Sequence, residues 1–325
     1  MEHSKTTLNQ AVADAVVKGL SGTPKSLPSW LFYDRTGDKL FQQIMRMPEY
    51  YPTRCEYDIL QQHKDELLKN FKGRHSSPFR LIELGAGDGL KTEILLKHFL
   101  AHAVEFTYLP VDISANALQD LSNRLRSQWP HLAMTTLNKT YDEALVSLRD
   151  AEEKKVILFM GANIGNFTAT DAAQFLKRLA LPLSGEDMLL IGFDLKKDPR
   201  IIQEAYDDPR GFTASFNLNI LARLNRELGA EFNPDNFSHY PYYDPVTGTM
   251  KSFLISMKQQ AVYIEAFDTT ISFYLWEPVH TEVSQKYDLR MIEKLMALSG
   301  LQITEIFYDS DGYFCDVLVR VRSNS

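Results

Sequence analysis

The spacing of hydrophobic positions changes twice along this chain of 325 residues. The N-terminal part carries apolar residues at helical spacing, which predicts helices over Thr6–Leu20, Asp38–Arg46 and Arg54–Asn70. From Phe79 onward, short apolar runs alternate with amphipathic segments, as strands and helices do when they follow one another in turn. After Asp194 this alternation stops, and apolar segments with no helix between them predict antiparallel strands.

The middle region predicts a parallel sheet. Its strands are expected at Phe79–Leu84, Thr107–Asp112, Ala133–Thr136, Lys155–Met160 and Met188–Asp194. Its helices are expected near Leu90–Leu100, Ala115–Trp129, Asp142–Arg149 and Thr170–Leu179. Strands that alternate with helices at this spacing are joined by right-handed crossovers, so they lie parallel in one sheet.

The last third of the chain is interpreted as an insertion followed by a closing hairpin. Helices are expected at Lys196–Asp208, Ser215–Leu228 and Tyr287–Ser299, and Asn233–Thr249 is expected to be a connection. Strands are expected at Met250–Met257, Ala261–Ala266, Thr270–Leu275, Gln302–Tyr308 and Tyr313–Val321. An insertion here would lie beside the carboxyl ends of the strands, where open α/β sheets bind ligands.

The most distinctive stretch is Arg80–Lys97, in which an apolar run meets the sequence Gly85-Ala86-Gly87-Asp88-Gly89 and a helical pattern follows. Glycines in such a turn let the backbone approach a ligand, and free N–H groups at the helix start face it. Taken alone, the pattern also fits an ordinary tight turn. Asp112 closes the next strand 27 residues beyond Gly85, where an acid accepts hydrogen bonds from ribose hydroxyls or caps a helix. Together the two features favour an adenosine-type ligand.

Composition and charge argue against several classes. The formal net charge of −7 does not suit a nucleic-acid binder, and no apolar run approaches the ~20 residues of a membrane span. Cys55 and Cys315 do not form a metal-ligand spacing. His98 and His102 lack the Glu of an H-E-x-x-H site and are interpreted as a solvated helix end. We therefore expect a cytoplasmic protein, without a membrane or nucleic-acid partner and without a metal.

Seven stretches together resemble one known family. They are PKSLPSWLFYDRTGDKLFQQI, MPEYYPTR, IELGAGDGLKTEILL, GANIGNFT, DLKKDPRIIQEAYDDPRG, FNLNILARLNRELGAEF and TEVSQKY. From about Pro24 to the end, the chain resembles the histidine-specific, S-adenosylmethionine-dependent Nα-methyltransferases of ergothioneine biosynthesis. The resemblance implies an α/β, class I (Rossmann-like) methyltransferase fold with a seven-stranded, mostly parallel sheet. The terminal hairpin fits that sheet better than the parallel sheet of a NAD-dependent dehydrogenase.

The resemblance also divides the chain by role. Residues 60–195 plus 286–325 are expected to bind S-adenosylmethionine. Residues 1–59 plus 196–285, the N-terminal helices and the insertion, are expected to form a substrate-binding domain. The cofactor contacts implied by the resemblance are Gly85, Ala86, Gly87, Lys91, Asp112, Thr140, Tyr141 and Gly161. At the adenine position the family has an acid, whereas this chain has Thr140. The candidates to replace that acid in the adenine contact are Asp142, two places later, and backbone carbonyls.

For an amino-acid substrate, the resemblance places Tyr50, Asn166 and Tyr206 around the α-amino and α-carboxylate groups. An asparagine amide offers an acceptor to the amine and a donor to the carboxylate. Glu282 and Ser284 would bind the imidazole, because a carboxylate beside an imidazole N–H forms a charge-assisted bond. The resemblance also places Tyr33 and Ser252 beside the imidazole, and Ser252 stands where the family has methionine. Asn163 stands where the family has threonine.

The implied reaction is in-line transfer of methyl groups to the α-amine of L-histidine. Three transfers would give hercynine and S-adenosyl-L-homocysteine, with Tyr50 or a water held by Asn166 relaying protons. Two alternatives stay open: an Nα-methyltransferase for another amino acid or a tryptophan-like amine, and a non-catalytic S-adenosylmethionine-binding protein. We expect a monomer.

Overall fold

The computed structural model describes residues 10–73, 77–148 and 153–322. The helices in chain order are α1 Gln10–Leu20, α2 Arg35–Met45, α3 Tyr51–Lys72, α4 Glu93–Ala101, α5 Ala115–Gln128, α6 Tyr141–Leu148, α7 Ala169–Ala180, α8 Pro199–Tyr206, α9 Phe212–Leu228 and α10 Leu289–Leu298. Residues 6–9 and 149 of the helices expected from the sequence lie outside the described residues. Within the described residues, no helix combines the length and the apolar character that crossing a membrane would require.

The strands, also in chain order, are β1 Lys25–Ser26, β2 Phe79–Leu84, β3 Phe106–Asp112, β4 Leu137–Asn138, β5 Lys154–Phe159, β6 Met188–Asp194, β7 Phe237–Asp244, β8 Thr249–Ser256, β9 Gln260–Ile264, β10 Thr269–Phe273, β11 Pro278–Gln285, β12 Leu301–Tyr308 and β13 Phe314–Val321. Backbone contacts divide the chain into two compact units. The first unit runs to Tyr50 and continues from Asp198 to Ser284, and the second comprises Tyr51 to Lys197 and Gln285 onward. The division after residue 59 that the sequence suggested differs from this one, because the whole of α3 belongs to the second unit.

The second unit is built on a seven-stranded sheet of order β12-β13-β6-β5-β2-β3-β4. Strands β2 to β6 pair in parallel, whereas β13 runs antiparallel to both β6 and β12. The strands have fully buried residues such as Ile82, Ile157, Leu190 and Val317, as expected when helices cover both faces of a sheet. The predicted α/β sheet with a terminal antiparallel hairpin is confirmed.

Two predictions in this unit were wrong in detail. The strand expected at Ala133–Thr136 is a single bridge between Met134 and Tyr108, and the paired strand β4 follows it at Leu137–Asn138. This is the sheet edge, where pairing is short. The helix expected from Leu90 begins at Glu93, because the glycine turn extends through the residues before it.

The first unit has its own core and its own sheets. A four-stranded sheet has the order β1-β11-β8-β7, and β9 and β10 form a separate antiparallel pair. Apolar residues of α1, α2 and α9 pack with the strands in one cluster that includes Val16, Ile44, Ile220 and Leu254. These strands carry the first unit's candidate site residues Ser252, Glu282 and Ser284.

Two expectations about the insertion were also wrong. Asn233–Thr249 is not simply a connection, because it contains β7, which pairs along its length with β8. The helix expected from Lys196 begins at Pro199 instead. Asp198 caps this helix by accepting the Arg200 N–H, and proline is favoured in the first turn because its missing N–H would have no helical partner.

Candidate active site

The glycine turn after β2 has a shape that requires glycine. Gly85 has a φ of +75°, and its N–H donates to the Val111 carbonyl at 2.8 Å. A Cβ at this position would lie 2.8 Å from Tyr141 Oη and 3.0 Å from Asn163 Nδ2. Both the backbone conformation and the crowding by Tyr141 and Asn163 therefore disfavour any residue with a side chain at position 85.

Asp112, at the end of β3, faces this turn. Its Oδ2 accepts the Gly87 N–H at 2.8 Å and its Oδ1 accepts the Ser114 N–H at 2.8 Å. Burial raises the pKa of the carboxyl group although these bonds oppose the shift. Each carboxylate oxygen retains acceptor capacity for a further hydrogen bond, so the residue fits the two hydroxyls of a ribose.

Of the two residues predicted to contact the adenine, Tyr141 lies against the glycine turn, whereas Thr140 caps a helix. Tyr141 packs edge-on against Phe159 with ring centroids 5.4 Å apart and reaches the glycine turn. Thr140 instead begins α6: its N–H and its hydroxyl both donate to Glu143, at 2.8 Å each, forming a capping box. The alternative residue Asp142 pairs with Arg178 at 3.0 Å on the surface.

Lys91 is held by an acid that the sequence did not reveal. Its Nζ forms an ion pair with Glu56 on α3, a residue with no solvent exposure. Glu56 Oε1 also accepts the Gly161 N–H at 2.7 Å, so two predicted cofactor residues meet on one carboxylate. Burial would lower the pKa of Lys91, but the charge of Glu56 outweighs it and the pKa is raised.

Further buried acids surround this ion pair. Asp316 of β13 is fully buried, and burial followed by the charge of Glu56 raises its pKa well above the ordinary value. Glu83, at 4% exposure, accepts hydrogen bonds from the hydroxyls of Thr92 and Tyr108, and burial raises its pKa to about 7. The charge balance behind the glycine turn therefore depends on which of these acids is protonated.

Replacing Glu83 by glutamine should flatten the pH dependence of stability. The folded-state pKa of about 7 exceeds the ordinary value of 4.5, so the folded protein holds the proton more tightly than the unfolded chain. The resulting stabilisation is present below the unfolded pKa and is lost as pH rises through the folded one, on the order of 3 kcal/mol in total. Urea unfolding at pH values from about 5 to about 8 measures it. The exposed Glu105→Gln variant is the control, and a wild-type curve as flat as that of E83Q would contradict the prediction.

Asn166 ends a short 3₁₀ turn, Asn163–Asn166, that follows β5. The turn is entered through Ala162 at a φ of +56°, a left-handed conformation that is costly for a residue with a side chain. The Tyr287 hydroxyl donates to the Ile164 carbonyl at 3.2 Å. The Asn163 side chain donates to the Met160 carbonyl at 2.9 Å, so its amide N–H supports the turn.

A second buried charge cluster lies at the end of β6. Asp194, which is 1% exposed, is paired with Lys197 and with the fully buried Lys286, the latter at 2.8 Å. The Tyr51 hydroxyl also donates to this carboxylate, at 2.8 Å from Oδ2. Burial would raise the pKa of Asp194, but the two lysines outweigh it and lower the pKa. Burial lowers the pKa of Lys197.

In the first unit, the predicted substrate tyrosines are part of one aromatic group. Tyr33 contacts Phe41 at 5.8 Å between ring centroids, and Phe41 contacts Tyr50 at 6.1 Å. Tyr50 in turn contacts Tyr206, the last residue of α8, at 6.5 Å. The structure thus brings together three tyrosines that are far apart in the sequence.

Hydroxyls and a carboxylate complete this part of the site. The Tyr206 hydroxyl donates to Ser284 Oγ at 2.9 Å, and the Ser252 hydroxyl donates to Glu282 Oε2 at 3.1 Å. Ser252 is fully buried, whereas Glu282 remains partly exposed. Ser252, which the resemblance aligned with a methionine of the family, therefore orients the acid that was predicted to bind the imidazole.

Sequence reasoning missed the charged residues that support these groups. Glu56 lies in helical phase with the buried residues Tyr51, Pro52, Ile59 and Leu60 of α3, a pattern that could have indicated its burial. Asp194 and Lys286 gave no such signal, because their pairing joins positions far apart in the sequence.

The sheet order, the glycine turn and the strand-end acid define a class I S-adenosylmethionine-dependent methyltransferase. The family model described as "Histidine-specific methyltransferase, SAM-dependent" matches residues 12–321. The chain belongs to this family, and S-adenosylmethionine is its methyl donor. The fold class, the family and the cofactor predicted from the sequence are confirmed.

Similar proteins agree with this assignment. A histidine N-alpha-methyltransferase of Mycobacterium tuberculosis is 35% identical over 92% of this chain and 91% of its own. One of Mycolicibacterium smegmatis is 34% identical over 94% of this chain and 93% of its own. Among solved structures, a mitomycin 7-O-methyltransferase matches 97% of this chain and 67% of its own with a TM-score of 0.50 at 12% identity, which supports the fold alone.

Proposed function

We propose that this enzyme transfers three methyl groups in succession from S-adenosylmethionine to the α-amine of L-histidine, giving hercynine. Membership of the histidine-specific family supports the substrate, as do the two mycobacterial relatives named for the same activity. The observation that carries the proposal is the partly exposed carboxylate of Glu282, oriented by the buried Ser252 at 3.1 Å. A carboxylate so held favours a ligand with a ring N–H donor.

The roles of the site residues follow from their chemistry. Glu282 accepts the imidazole N–H, with Ser284 and Tyr33 on the same side of the ligand. Tyr50, Tyr206 and Asn166 hold the α-amino and α-carboxylate groups, since neutral hydroxyls and an amide bind a carboxylate without repelling a sulfonium. Gly85, Ala86, Gly87, Lys91, Asp112, Tyr141 and Gly161 serve the cofactor. Thr140 contributes through the start of α6.

When bound, S-adenosylmethionine supplies an already activated methyl group. The protein therefore has to hold a neutral amine in line with the bond that breaks, and such positioning can lower a barrier by about 7–11 kcal/mol. The amine must lose one proton before each transfer so that its lone pair is free to attack, and the trimethylated product carries no N–H. We assign this relay to Tyr50 or to a water held by Asn166.

Replacing Tyr50 by phenylalanine should slow every transfer by about a hundredfold, because the ring contacts with Phe41 and Tyr206 remain while the hydroxyl is lost. Single-turnover measurements with histidine and with its mono- and dimethyl derivatives give the separate rates. Unchanged rates in all three reactions would exclude Tyr50 as the relay, and unchanged S-adenosylmethionine affinity is the control.

Tyr287→Phe should lower kcat/KM for histidine by about fivefold to tenfold, because the bond to Ile164 supports the turn that carries Asn166. The edge-on contact of the ring with Phe193 at 5.0 Å is kept, so the unfolding midpoint should change little. Steady-state kinetics and S-adenosylmethionine titration separate a local effect on the amine from an effect on the cofactor. If Y287F had the same kinetics as the exposed control Tyr308→Phe, the hydrogen bond from Tyr287 to Ile164 would make no contribution to catalysis.

The direct test is incubation of the pure protein with S-adenosylmethionine and each amino acid, followed by mass spectrometry. The mass of histidine should increase in steps of one methyl group until three have been added. A shift with tryptophan or another amine, and none with histidine, would assign the enzyme to a different substrate, a reading that Ser252 in place of methionine favours. Cofactor binding without any transfer would indicate a non-catalytic protein. We also expect a monomer in the cytoplasm, which sedimentation and fractionation would test.

A further inference from the structure

Two histidines and an aspartate converge on the surface of the second unit, at a place the methyl-transfer reaction does not use. His98 lies on α4, and His102 follows it by one turn, directly after the end of the helix. Asp65 of α3 faces both histidines. Their candidate ligand atoms all lie within 4.8 Å of one another, with His98 Nε2 3.0 Å from Asp65 Oδ1. In a tetrahedral site with metal bonds of about 2.0–2.1 Å, ligand atoms are about 3.3 Å apart, so the ligand atoms would need to approach one another by no more than about 1.5 Å.

The hydrogen bonds leave the ligating atoms available. His102 Nδ1 lies 2.9 Å from the His98 carbonyl, which can only accept, so Nδ1 carries the proton and Nε2 keeps its lone pair. Metal-binding histidines are usually oriented in this way, by a hydrogen bond from the ring nitrogen that does not bind the metal. His98 Nε2 is buried and, among the described residues, has no aligned hydrogen-bond partner despite its closeness to Asp65.

We propose that Asp65, His98 and His102 bind one divalent transition-metal cation, Zn²⁺ in preference to Mg²⁺, with water completing the coordination. Imidazole nitrogens favour Zn²⁺, whereas Mg²⁺ favours oxygen ligands. The side chain of Asp65 is 79% exposed, so solvent reaches the site, while that of His98 is only 9% exposed and is fixed in place.

The cation would join α3 to α4. Glu56 of α3 is already paired with Lys91, which lies two residues before α4, and Asp65 follows Glu56 by nine residues, or about 13 Å of helix. Metal binding therefore stabilises the helix pair at a distance from the cofactor turn. It does not take part in the methyl transfer.

Isothermal titration of untagged, chelator-treated protein with Zn²⁺ tests the site, and Co²⁺ absorption reports the coordination geometry. Wild-type protein should bind one equivalent, and its unfolding midpoint should rise with Zn²⁺ concentration. His102→Ala and Asp65→Asn should each weaken Zn²⁺ binding by at least about tenfold, because even the loss of a residue that only hydrogen-bonds to a metal ligand costs that much. The exposed His131→Ala variant is the matched control.

Methyl transfer to histidine should stay within about twofold of wild type in all three variants, since the site lies outside the reaction. Failure of the wild-type protein to bind Zn²⁺ would overturn the proposal. So would equal affinities of wild type, H102A and D65N, since the metal would then be held elsewhere. Neither result depends on which amine the enzyme methylates.

Discussion

Replacing Glu282 by alanine should reduce kcat/KM for histidine by roughly 10²–10⁴-fold while leaving S-adenosylmethionine affinity within about twofold. The imidazole N–H would lose a charged acceptor in a partly buried place, and the Ser252 hydroxyl would lose its partner. Steady-state kinetics with varied histidine, together with titration of the cofactor, separate the two effects. The first unit offers an exposed acid, Glu231, whose alanine variant is the control.

Substrate comparison sharpens this test. Glu282→Ala should lose far less activity toward an amine whose side chain lacks a ring N–H donor, because such a ligand gains nothing from the carboxylate. Equal losses for histidine and for such an amine would mean that Glu282 supports the fold of β11 instead of selecting the substrate. Glu282→Gln, which keeps an acceptor oxygen without the charge, should fall between the wild type and the alanine variant.

The largest loss of stability is expected at Asp194. Asp194→Ala would remove the carboxylate that pairs with Lys197 and with Lys286, which has no solvent exposure, at a cost of about 3–5 kcal/mol in the free energy of unfolding. Urea unfolding followed by circular dichroism measures the change. Asp142→Asn, which removes an exposed partner of Arg178, should leave the midpoint almost unchanged because water already solvates that pair.

A double variant distinguishes unpaired charge from lost packing. Combining Asp194→Ala with Lys286→Met removes one of the two buried lysine charges as well and should recover part of the stability, since apolar replacement of a buried ion pair is often tolerated. Stability that falls further in the double variant would point to packing as the main loss. The pair is close enough for coupling to be measurable, with 2.8 Å between the charged atoms.

The alternating part of the fold was predictable because its signal is local. Buried parallel strands appear as continuous apolar runs, and the glycine turn after Leu84 marks where the first strand ends. The same logic failed at β7, because the prolines in and beside this strand suggested a loop. Pro241 is tolerated there since β7 is an edge strand, with a side that needs no ladder hydrogen bond.

The candidate site was predictable only in part. The glycine turn and Asp112 follow from spacing along the chain, but the substrate residues could be named only through resemblance to a family. The supporting acids were missed because a carboxylate in a helix, such as Glu56, is ordinarily exposed. Its burial depends on Lys91, on the Gly161 N–H and on the space left by Gly192, three positions that no local pattern connects to it.

The place of β13 in the sheet limits how the protein can be assembled on the ribosome. Phe314–Val321 is an interior strand, hydrogen-bonded to β6 on one side and to β12 on the other. Until these residues emerge from the ribosomal tunnel, β6 has an open edge and Asp316 is absent from the cluster around Glu56. All residues of the first unit precede Gln285, so its core can form before β13 has been released. The cofactor-binding unit begins at Tyr51 but can complete its sheet only after β13 has been synthesised, so it is the later unit to finish folding.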